Sequence, residues 1–160
     1  MPVWLLHFIP LKSHNTMLSY TEFAEKTLRD ASYKITGPRM AVIEVLANTS
    51  RSLSPYKIAE IALQKYKINL DTVTIYRIIQ VMEKLHLVHK VHGVEGYIRC
   101  EVKDDGADDC HHSFICRKCK KVQEVSGENL DAFIKQTEKS HKFKVEKHQL
   151  ELSGLCRKCK

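Results

Sequence analysis

Two copies of one four-residue motif constrain this chain more than any other feature. Cysteines flank an Arg-Lys pair at positions 116–119 and again at positions 156–159. Each C-x-x-C pair can supply two thiolates from one tight turn, and two such pairs have the spacing of a tetrahedral Cys₄ zinc site. We therefore predict a structural Zn²⁺ held by four thiolates: Cys116, Cys119, Cys156 and Cys159.

Other uses of the two motifs fit the rest of the sequence less well. Two disulfides would suit a secreted scaffold, which normally carries a secretory signal. A thioredoxin-like redox pair would lie beside a β-α-β pattern. The sequence shows neither context. Because a closed four-thiolate site has no open coordination position, this zinc indicates architecture and argues against catalysis there.

The composition and net charge of the chain indicate what kind of molecule it binds. The 160 residues are 43% hydrophobic, which suits one domain or two small ones, and they carry a formal net charge of +7. Four thiolates around Zn²⁺ would reduce that charge to about +5. This mild excess indicates a polyanionic partner such as DNA.

The first sixteen residues are set apart by an apolar run at positions 2–11. The run is too short to span a bilayer. It lacks the charged n-region and cleavage site of a signal peptide, so we interpret residues 1–16 as a tail before a second candidate start at Met17. No other segment could cross a membrane. We therefore expect a cytoplasmic protein with reduced thiols and no membrane partner.

Four helix-start signals follow in the N-terminal half. Ser19 to Glu22 has the capping-box pattern and predicts a helix from about Tyr20 to Ser32. Gly37-Pro38 opens a second helix and Ser54-Pro55 a third, with Ser54 as cap. Asp71 is the expected cap of a fourth helix.

The fourth helix has two contrasting faces. Its apolar residues recur at helical spacing and predict a core-facing side: Ile75, Ile78, Ile79, Met82 and Leu85. Thr72, Tyr76 and Gln80 form a row on the opposite side, beside Arg77. Arg and Gln can hydrogen-bond guanine and adenine in the major groove, and Tyr and Thr can reach phosphates. An ordinary solvated helix face is the alternative interpretation.

The segment after this helix favours the DNA-binding interpretation. Residues 88–92, a turn at 93–96 and residues 97–100 have the pattern of a β-hairpin. Short helices followed by such a hairpin predict a winged helix-turn-helix, here over residues 17–100, in which the helix before the wing reads the DNA.

The order of these features resembles the ferric uptake regulator family. The resemblance covers about Leu18 to Cys159 and rests on Thr36 to Arg39, on Thr72 to Arg77, on the histidine-rich segment and on both C-x-x-C pairs. It implies an α+β fold: an N-terminal winged helix, an acidic hinge at 101–110, and a small C-terminal α/β dimerisation domain at 111–160 that carries the Cys₄ zinc.

The same resemblance implies a homodimeric, metal-dependent bacterial transcription regulator that binds palindromic double-stranded operator DNA. Residues matching Tyr76 and Arg77 contact DNA in such proteins, and a basic residue matching Lys34 reaches the minor groove. The expected DNA-binding set is Lys34, Arg39, Thr72, Tyr76, Arg77 and Gln80.

Two adjacent histidines suggest two further metal sites. Residues 110–115 should form a strand, so its side chains alternate between faces. His111 then faces the opposite way from His112, and it can join a carboxylate, an imidazole and a thiolate from elsewhere in the chain. This predicted regulatory site comprises His89, Cys100, His111 and Glu124. One thiolate, two imidazoles and one carboxylate suit tetrahedral Zn²⁺ and disfavour harder cations.

On the other face of that strand, His112 can join Asp131 and His148, with Cys110 as a fourth ligand. By resemblance, these residues match a second site near the hinge that many family members possess.

The chain departs from the iron-sensing pattern of the family at informative positions. Ser52 and Ser113 stand where that pattern has histidines, and Cys100 stands where it has a carboxylate. These changes resemble the zinc uptake regulator branch and disfavour the peroxide-sensing one. We therefore predict a zinc-responsive repressor of metal-uptake genes, with an iron- or peroxide-responsive regulator as the alternative.

Two other classes of protein fit the sequence less well. A zinc hydrolase or deaminase would use Glu124 as its base, but the chain has no H-x-E motif and no proline before either C-x-x-C pair. A zinc-ribbon interaction module without DNA binding would leave the Tyr76 and Arg77 face and the hairpin unexplained. We accordingly predict no enzymatic activity and no catalytic residues.

Overall fold

A computed structural model describes residues 18–100, 112–125, 128–146 and 148–160 of the chain. The side chains of residues 128, 129 and 131 lie outside this description. So do the predicted tail at 1–16, the acidic hinge at 101–110, and the candidate ligands Cys110 and His111. Four helices precede two small sheets and a fifth helix in the described residues, and the predicted α+β fold class is confirmed.

Four helices form the N-terminal part of the molecule. They are α1 (Tyr20–Asp30), α2 (Gly37–Ala47), α3 (Pro55–Tyr66) and α4 (Thr72–Lys84). The predicted caps of three of them are confirmed, because Ser19, Ser54 and Asp71 each accept a hydrogen bond from a backbone N–H in the first helical turn. Helix α1 ends two residues before the predicted Ser32, which adopts a left-handed backbone conformation with φ 62°.

The four helices enclose the larger hydrophobic core. As predicted, the apolar side of α4 is buried at Ile75, Ile78, Ile79 and Met82. Leu63 of α3 lies outside this core and is 49% exposed. The side chains that are fully buried in this core include residues from every helix: Leu28, Val42, Ile43, Leu46, Ile58, Ile75, Ile79 and Met82.

A two-stranded hairpin follows α4 and completes the winged helix. Strands β1 (Val88–Lys90) and β2 (Tyr97–Arg99) pair antiparallel. Gly96 adopts a φ of 138°, and a Cβ there would lie 2.7 Å from the backbone of Leu53. Only glycine therefore lets the hairpin approach the segment before α3, where Leu53 and Tyr97 form a β-bridge. We call residues 88–100 the wing hairpin.

The C-terminal part contains a three-stranded sheet and one helix. Strand β3 (His112–Cys116) lies between β4 (Val122–Val125) and β5 (Leu150–Gly154), antiparallel to the first and parallel to the second. Helix α5 (Glu128–His141) connects β4 to β5. None of the helices in the described residues is long and apolar enough to cross a membrane.

A backbone bridge and an apolar cluster are among the contacts that join the winged helix to this sheet. Arg51 and Lys121 form an antiparallel β-bridge, in which Ser52 N–H donates to Lys120 O (3.1 Å) and Val122 N–H donates to Ser50 O (2.9 Å). A small apolar cluster lies between the wing hairpin and the sheet. Its buried members are Val91, Val94, Ile98, Ile115 and Val122.

Candidate metal centres and nucleic-acid interface

The four cysteines of the two C-x-x-C motifs converge at one end of the sheet. Cys116 ends β3, and Cys156 follows β5, which is parallel to it. All four sulfur atoms lie within 4.8 Å of one another, and Cys119 Sγ is 3.7 Å from Cys156 Sγ. These four described cysteines form no disulfide. We call this group the Cys₄ cluster.

Backbone donors make one of these sulfurs a ready thiolate. Hydrogen bonds from backbone N–H groups, first that of Cys119 and then that of Cys156, lower the pKa of Cys116 to about 6. The hydrogen bond between Cys159 and Cys156 acts in the opposite sense and raises the pKa of Cys159 to about 12. Four neighbouring thiolates would repel one another, so the arrangement favours a cation among the sulfurs. A borderline-soft divalent ion with tetrahedral preference, Zn²⁺, fits this donor set.

A second group of potential ligands lies between the winged helix and the sheet. His89 of β1, Cys100 at the end of the wing hairpin and Glu124 of β4 each place a ligand atom within 4.8 Å of the other two. His89 Nε2 is 3.4 Å from Glu124 Oε1, and both side chains are largely buried. We call these three residues the bridging cluster, because they come from both parts of the molecule.

The position of Cys100 is fixed from the helical side. Its backbone N–H donates to Leu87 O at 2.9 Å, and the hydroxyl of Tyr20 donates to the same carbonyl at 2.8 Å. The Arg99 guanidinium donates to Ala47 O of α2. The wing hairpin is therefore held by α1 and α2 at the end that presents the thiol.

The pairing of β3 with β4 shows which face of the sheet each predicted metal ligand occupies. Ser113 pairs with Glu124 across β3 and β4, so the two side chains share one face of the sheet. His112 is 4% exposed, and its ring is stacked on that of His148 with centroids 5.1 Å apart. The structure thus brings together two of the four residues predicted for the second site. Cys110 and the side chain of Asp131 lie outside the described part of the chain.

The solvent-facing side of α4 carries the predicted DNA-binding residues. Tyr76, Arg77 and Gln80 are exposed and Thr72 is half-buried. Asp71 accepts hydrogen bonds from the Thr74 N–H (2.8 Å) and hydroxyl (2.7 Å), which fixes the start of this helix. The row therefore projects from a rigid, capped helix.

Lys34 lies in the connection between α1 and α2, and Arg39 lies in the first turn of α2. Lys34 is exposed, whereas the Arg39 guanidinium donates to the carbonyl of Lys34 and lies 5.3 Å from the centroid of the Tyr33 ring. Arg39 thus braces the loop that presents Lys34.

Sequence reasoning missed the residues that join the two parts away from the bridging cluster. Arg51 and Lys121 pair through their backbones, and the Glu151 carboxylate accepts from two backbone N–H groups of the wing turn. Backbone pairing leaves no side-chain signature. For Glu151 the single available signal was a carboxylate between two leucines in a strand.

These features define a class of protein: a winged helix attached to a small sheet that carries clusters of metal ligands. The chain belongs to the ferric uptake regulator family, whose family model matches residues 30–153.

Individual relatives agree with this membership over most of the chain. The ferric uptake regulation protein of Yersinia pestis is 31% identical over 137 residues, which cover 82% of this chain and 86% of that protein. Its namesake in Bacillus subtilis (strain 168) is 27% identical over 135 residues, covering 84% and 91%. A solved zinc uptake regulator complexed with zinc and DNA has a TM-score of 0.72 at 21% identity, covering 89% and 95%, and supports the fold.

Proposed function

We propose that this protein is a zinc-responsive, DNA-binding transcriptional repressor that acts as a homodimer on palindromic operators of metal-uptake genes. The observation that carries the proposal is the bridging cluster, in which ligand atoms from the wing hairpin and from the sheet lie within 4.8 Å of one another. An ion bound there would couple its own occupancy to the orientation of the winged helix.

The regulatory site in this proposal comprises His89, Cys100 and Glu124, with His111 as the fourth ligand. His111 lies two residues before Ser113, which shares a face with Glu124. If β3 continued by one residue beyond His112, the His111 imidazole would point to the same side as Ser113. The thiolate selects a softer ion than Mn²⁺ or Mg²⁺, and the set of one sulfur, two imidazoles and one carboxylate suits tetrahedral Zn²⁺.

The stacked pair of His112 and His148 supports a second site on the opposite face of β3. We assign Asp131 and Cys110 as its further ligands. The Cys₄ cluster serves as the structural zinc site of the sheet, and no residue is assigned a catalytic role.

In this proposal the exposed side of α4 and the segment around the α1–α2 connection contact the operator DNA. Arg77 and Gln80 would read bases in the major groove, while Tyr76, Thr72 and Lys34 would contact the backbone or the minor groove, with Arg39 bracing Lys34. A two-fold dimer presents two such helices to two half-sites. The solved zinc uptake regulator with bound DNA supports this docking mode through its shared fold.

The domain limits follow the same scheme: a tail at 1–16, a winged helix at 17–100, a hinge at 101–110 and a dimerisation and metal-binding domain at 111–160. With zinc bound, His89, Cys100 and Glu124 would hold the winged helix in the orientation that fits the operator. Without zinc, other orientations would be populated and repression would be lost.

An iron-responsive regulator is the second candidate, because the curated relatives quoted above are ferric uptake regulation proteins. Cys100 distinguishes a zinc-responsive from an iron-responsive regulator. Replacing the thiolate by a carboxylate in Cys100→Asp should shift metal preference from Zn²⁺ towards Fe²⁺ or Mn²⁺. A wild-type protein that binds operator equally well with Fe²⁺ and Zn²⁺ would favour the iron alternative.

Zinc titration of operator binding tests the proposal. Cys100→Ser and His111→Ala should abolish zinc-dependent binding and leave the Cys₄ zinc in place, and a chelator should release wild-type protein from the operator. His112→Ala is the matched control on the other face of β3 and should have a smaller effect. If His112→Ala abolishes the response and His111→Ala does not, the two ligand sets must be exchanged.

A further inference from the structure

One carboxylate of the sheet holds the turn of the wing hairpin. Glu151 Oε1 accepts from the His92 N–H at 2.9 Å, and Glu151 Oε2 accepts from the Gly93 N–H at 2.5 Å. The Gln149 amide donates to Glu151 Oε1 at 2.8 Å and orients it. Only 12% of the Glu151 side chain is exposed, although both hydrogen bonds lie at the exposed turn, and each joins a charged acceptor to a backbone donor.

The turn approaches the sheet so closely at Gly93 that a side chain there would require neighbouring side chains to shift. A Cβ at Gly93 would lie 2.9 Å from Ile115 Cδ1, 3.1 Å from Ser153 Oγ and 3.2 Å from Glu151 Oε2. Beside this contact, Val91 and Val94 of the hairpin are buried with Ile115 of the sheet. The wing turn is therefore docked by a polar clamp and an apolar contact, neither of which contains a ligand of the bridging cluster.

We call the contact of Glu151 with the His92 and Gly93 N–H groups the clamp. The pairing of the strands places Glu151 in the same row of the sheet as Glu124 of the bridging cluster. Ser113 pairs with Glu124 on one side and with Glu151 on the other, so the three residues form one row across β4, β3 and β5. The two carboxylates of the row contact the same hairpin at different points. Glu124 lies beside His89, and Glu151 binds the turn at His92 and Gly93.

We propose that Glu151 is a positioning residue that docks the wing turn on the sheet before the regulatory metal binds. Docking sets the distance between the two halves of the bridging cluster, so that the metal meets a largely preformed site. This inference rests on the proposed zinc-dependent DNA binding. It adds that zinc affinity in that function depends on a residue that is not a ligand.

A zinc titration of operator binding measures the effect on the response. If only the docked fraction of molecules is competent to bind the metal, Glu151→Ala should raise the half-saturating zinc concentration about tenfold. Maximal operator binding at saturating zinc should stay at the wild-type level. Glu151→Gln keeps one carbonyl acceptor, so its half-saturating zinc concentration should lie between those of wild type and Glu151→Ala. Glu146→Ala removes an exposed carboxylate from the same part of the chain and should have the half-saturating zinc concentration of wild type.

Amide hydrogen exchange tests the clamp without zinc response or DNA. In Cys100→Ser protein, which retains the Cys₄ zinc, the His92 and Gly93 amides should be protected, and adding Glu151→Ala should remove the protection. Equal exchange in both proteins would overturn the clamp. The proposal would also be overturned if Glu151→Ala had the half-saturating zinc concentration of wild type, or if it reduced only the maximal operator binding. Zinc-independent operator binding by wild type would instead refute the proposed function, and the exchange result would still decide on the clamp.

Discussion

At the scale of single residues, the Cys₄ cluster shows how backbone geometry prepares a metal site. The N–H groups of Cys119 and Cys156 point at Cys116 Sγ and lower its pKa to about 6, whereas Cys159 favours its protonated form. An ion bound by all four sulfurs must displace the remaining protons, so zinc and protons compete for the same sites.

The direction of the pH dependence follows from this competition. A thiol whose pKa is lowered to about 6 is a thiolate at neutral pH and becomes protonated as the pH falls through that value. Zinc should therefore be retained between pH 7 and pH 8 and released progressively below about pH 6. A chromogenic chelator can follow the release, and zinc loss on raising the pH from 6 to 8 would contradict the assignment.

Replacing one ligand of the Cys₄ cluster should affect folding as well as metal content. Cys116→Ser is expected to lower zinc by about one ion per protomer and to disorder the sheet, because metal binding at such a site is coupled to folding. Metal analysis and circular dichroism measure the two effects. Ser153→Ala, an exposed change on neighbouring β5, serves as the control. A folded Cys116→Ser protein with its full zinc content would refute the site.

At the scale of elements, the reading helix combines a buried apolar side with an exposed polar row. Ile75 and Ile79 are fully buried, while Tyr76 is 43% exposed on the opposite side. The Asp71 cap fixes the first turn, which contains Thr72, and Tyr76 follows one turn later. A helix presented in this way can enter a major groove with little loss of conformational freedom.

Substitutions on this helix and on the loop between α1 and α2 should separate two kinds of DNA contact. Arg77→Ala is expected to cost about 1–3 kcal/mol of specific binding and to relax preference at one base pair. Lys34→Ala should instead reduce the salt dependence of binding by about one unit, since it would remove one phosphate contact. Lys65→Ala, an exposed change on α3, is the charge-matched control. Equal loss of sequence preference for Arg77→Ala and Lys34→Ala would show that the roles are misassigned.

Elements with local signals could be predicted from the sequence, and contacts between distant elements could not. The caps Ser19, Ser54 and Asp71 mark helix starts because they bond to N–H groups only three residues away. The meeting of Glu124 with His89 was inferred from alternation along one strand and a family resemblance. By contrast, the Glu151 clamp depends on strand order and on the hairpin's tilt, which no local pattern encodes.

At the scale of the whole molecule, the outer face of the sheet carries apolar side chains that the described chain does not cover. Phe114 and Leu152 are paired neighbours on β3 and β5 and are 50% and 45% exposed, and Leu155 beyond them is 46% exposed. Exposed apolar side chains grouped in this way suit a contact between two copies of the chain. The wing hairpin packs on the opposite face, through Ile115.

Charge placed on this face should dissociate the dimer. Phe114→Asp is expected to raise the dimer dissociation constant at least about tenfold, because the charge would be buried in the interface. Sedimentation velocity across a concentration series measures the shift. Leu63→Asp adds the same charge at a similarly exposed leucine of α3 and should leave the dimer intact. An unchanged dimer in Phe114→Asp would place the interface elsewhere.

The bridge between Arg51 and Lys121 has a consequence for how such a chain can change over generations. Residues 50–53 share backbone hydrogen bonds with Lys120 and Val122 and also pair with the wing at Tyr97. A recombination event that exchanged the winged helix for that of a relative could keep these backbone bonds, but it would also replace His89 and Cys100 and separate them from the Glu124 with which they form the bridging cluster. The two parts of the chain should therefore be inherited together. Operator preference and metal preference should diverge by point substitution more readily than by exchange of whole domains.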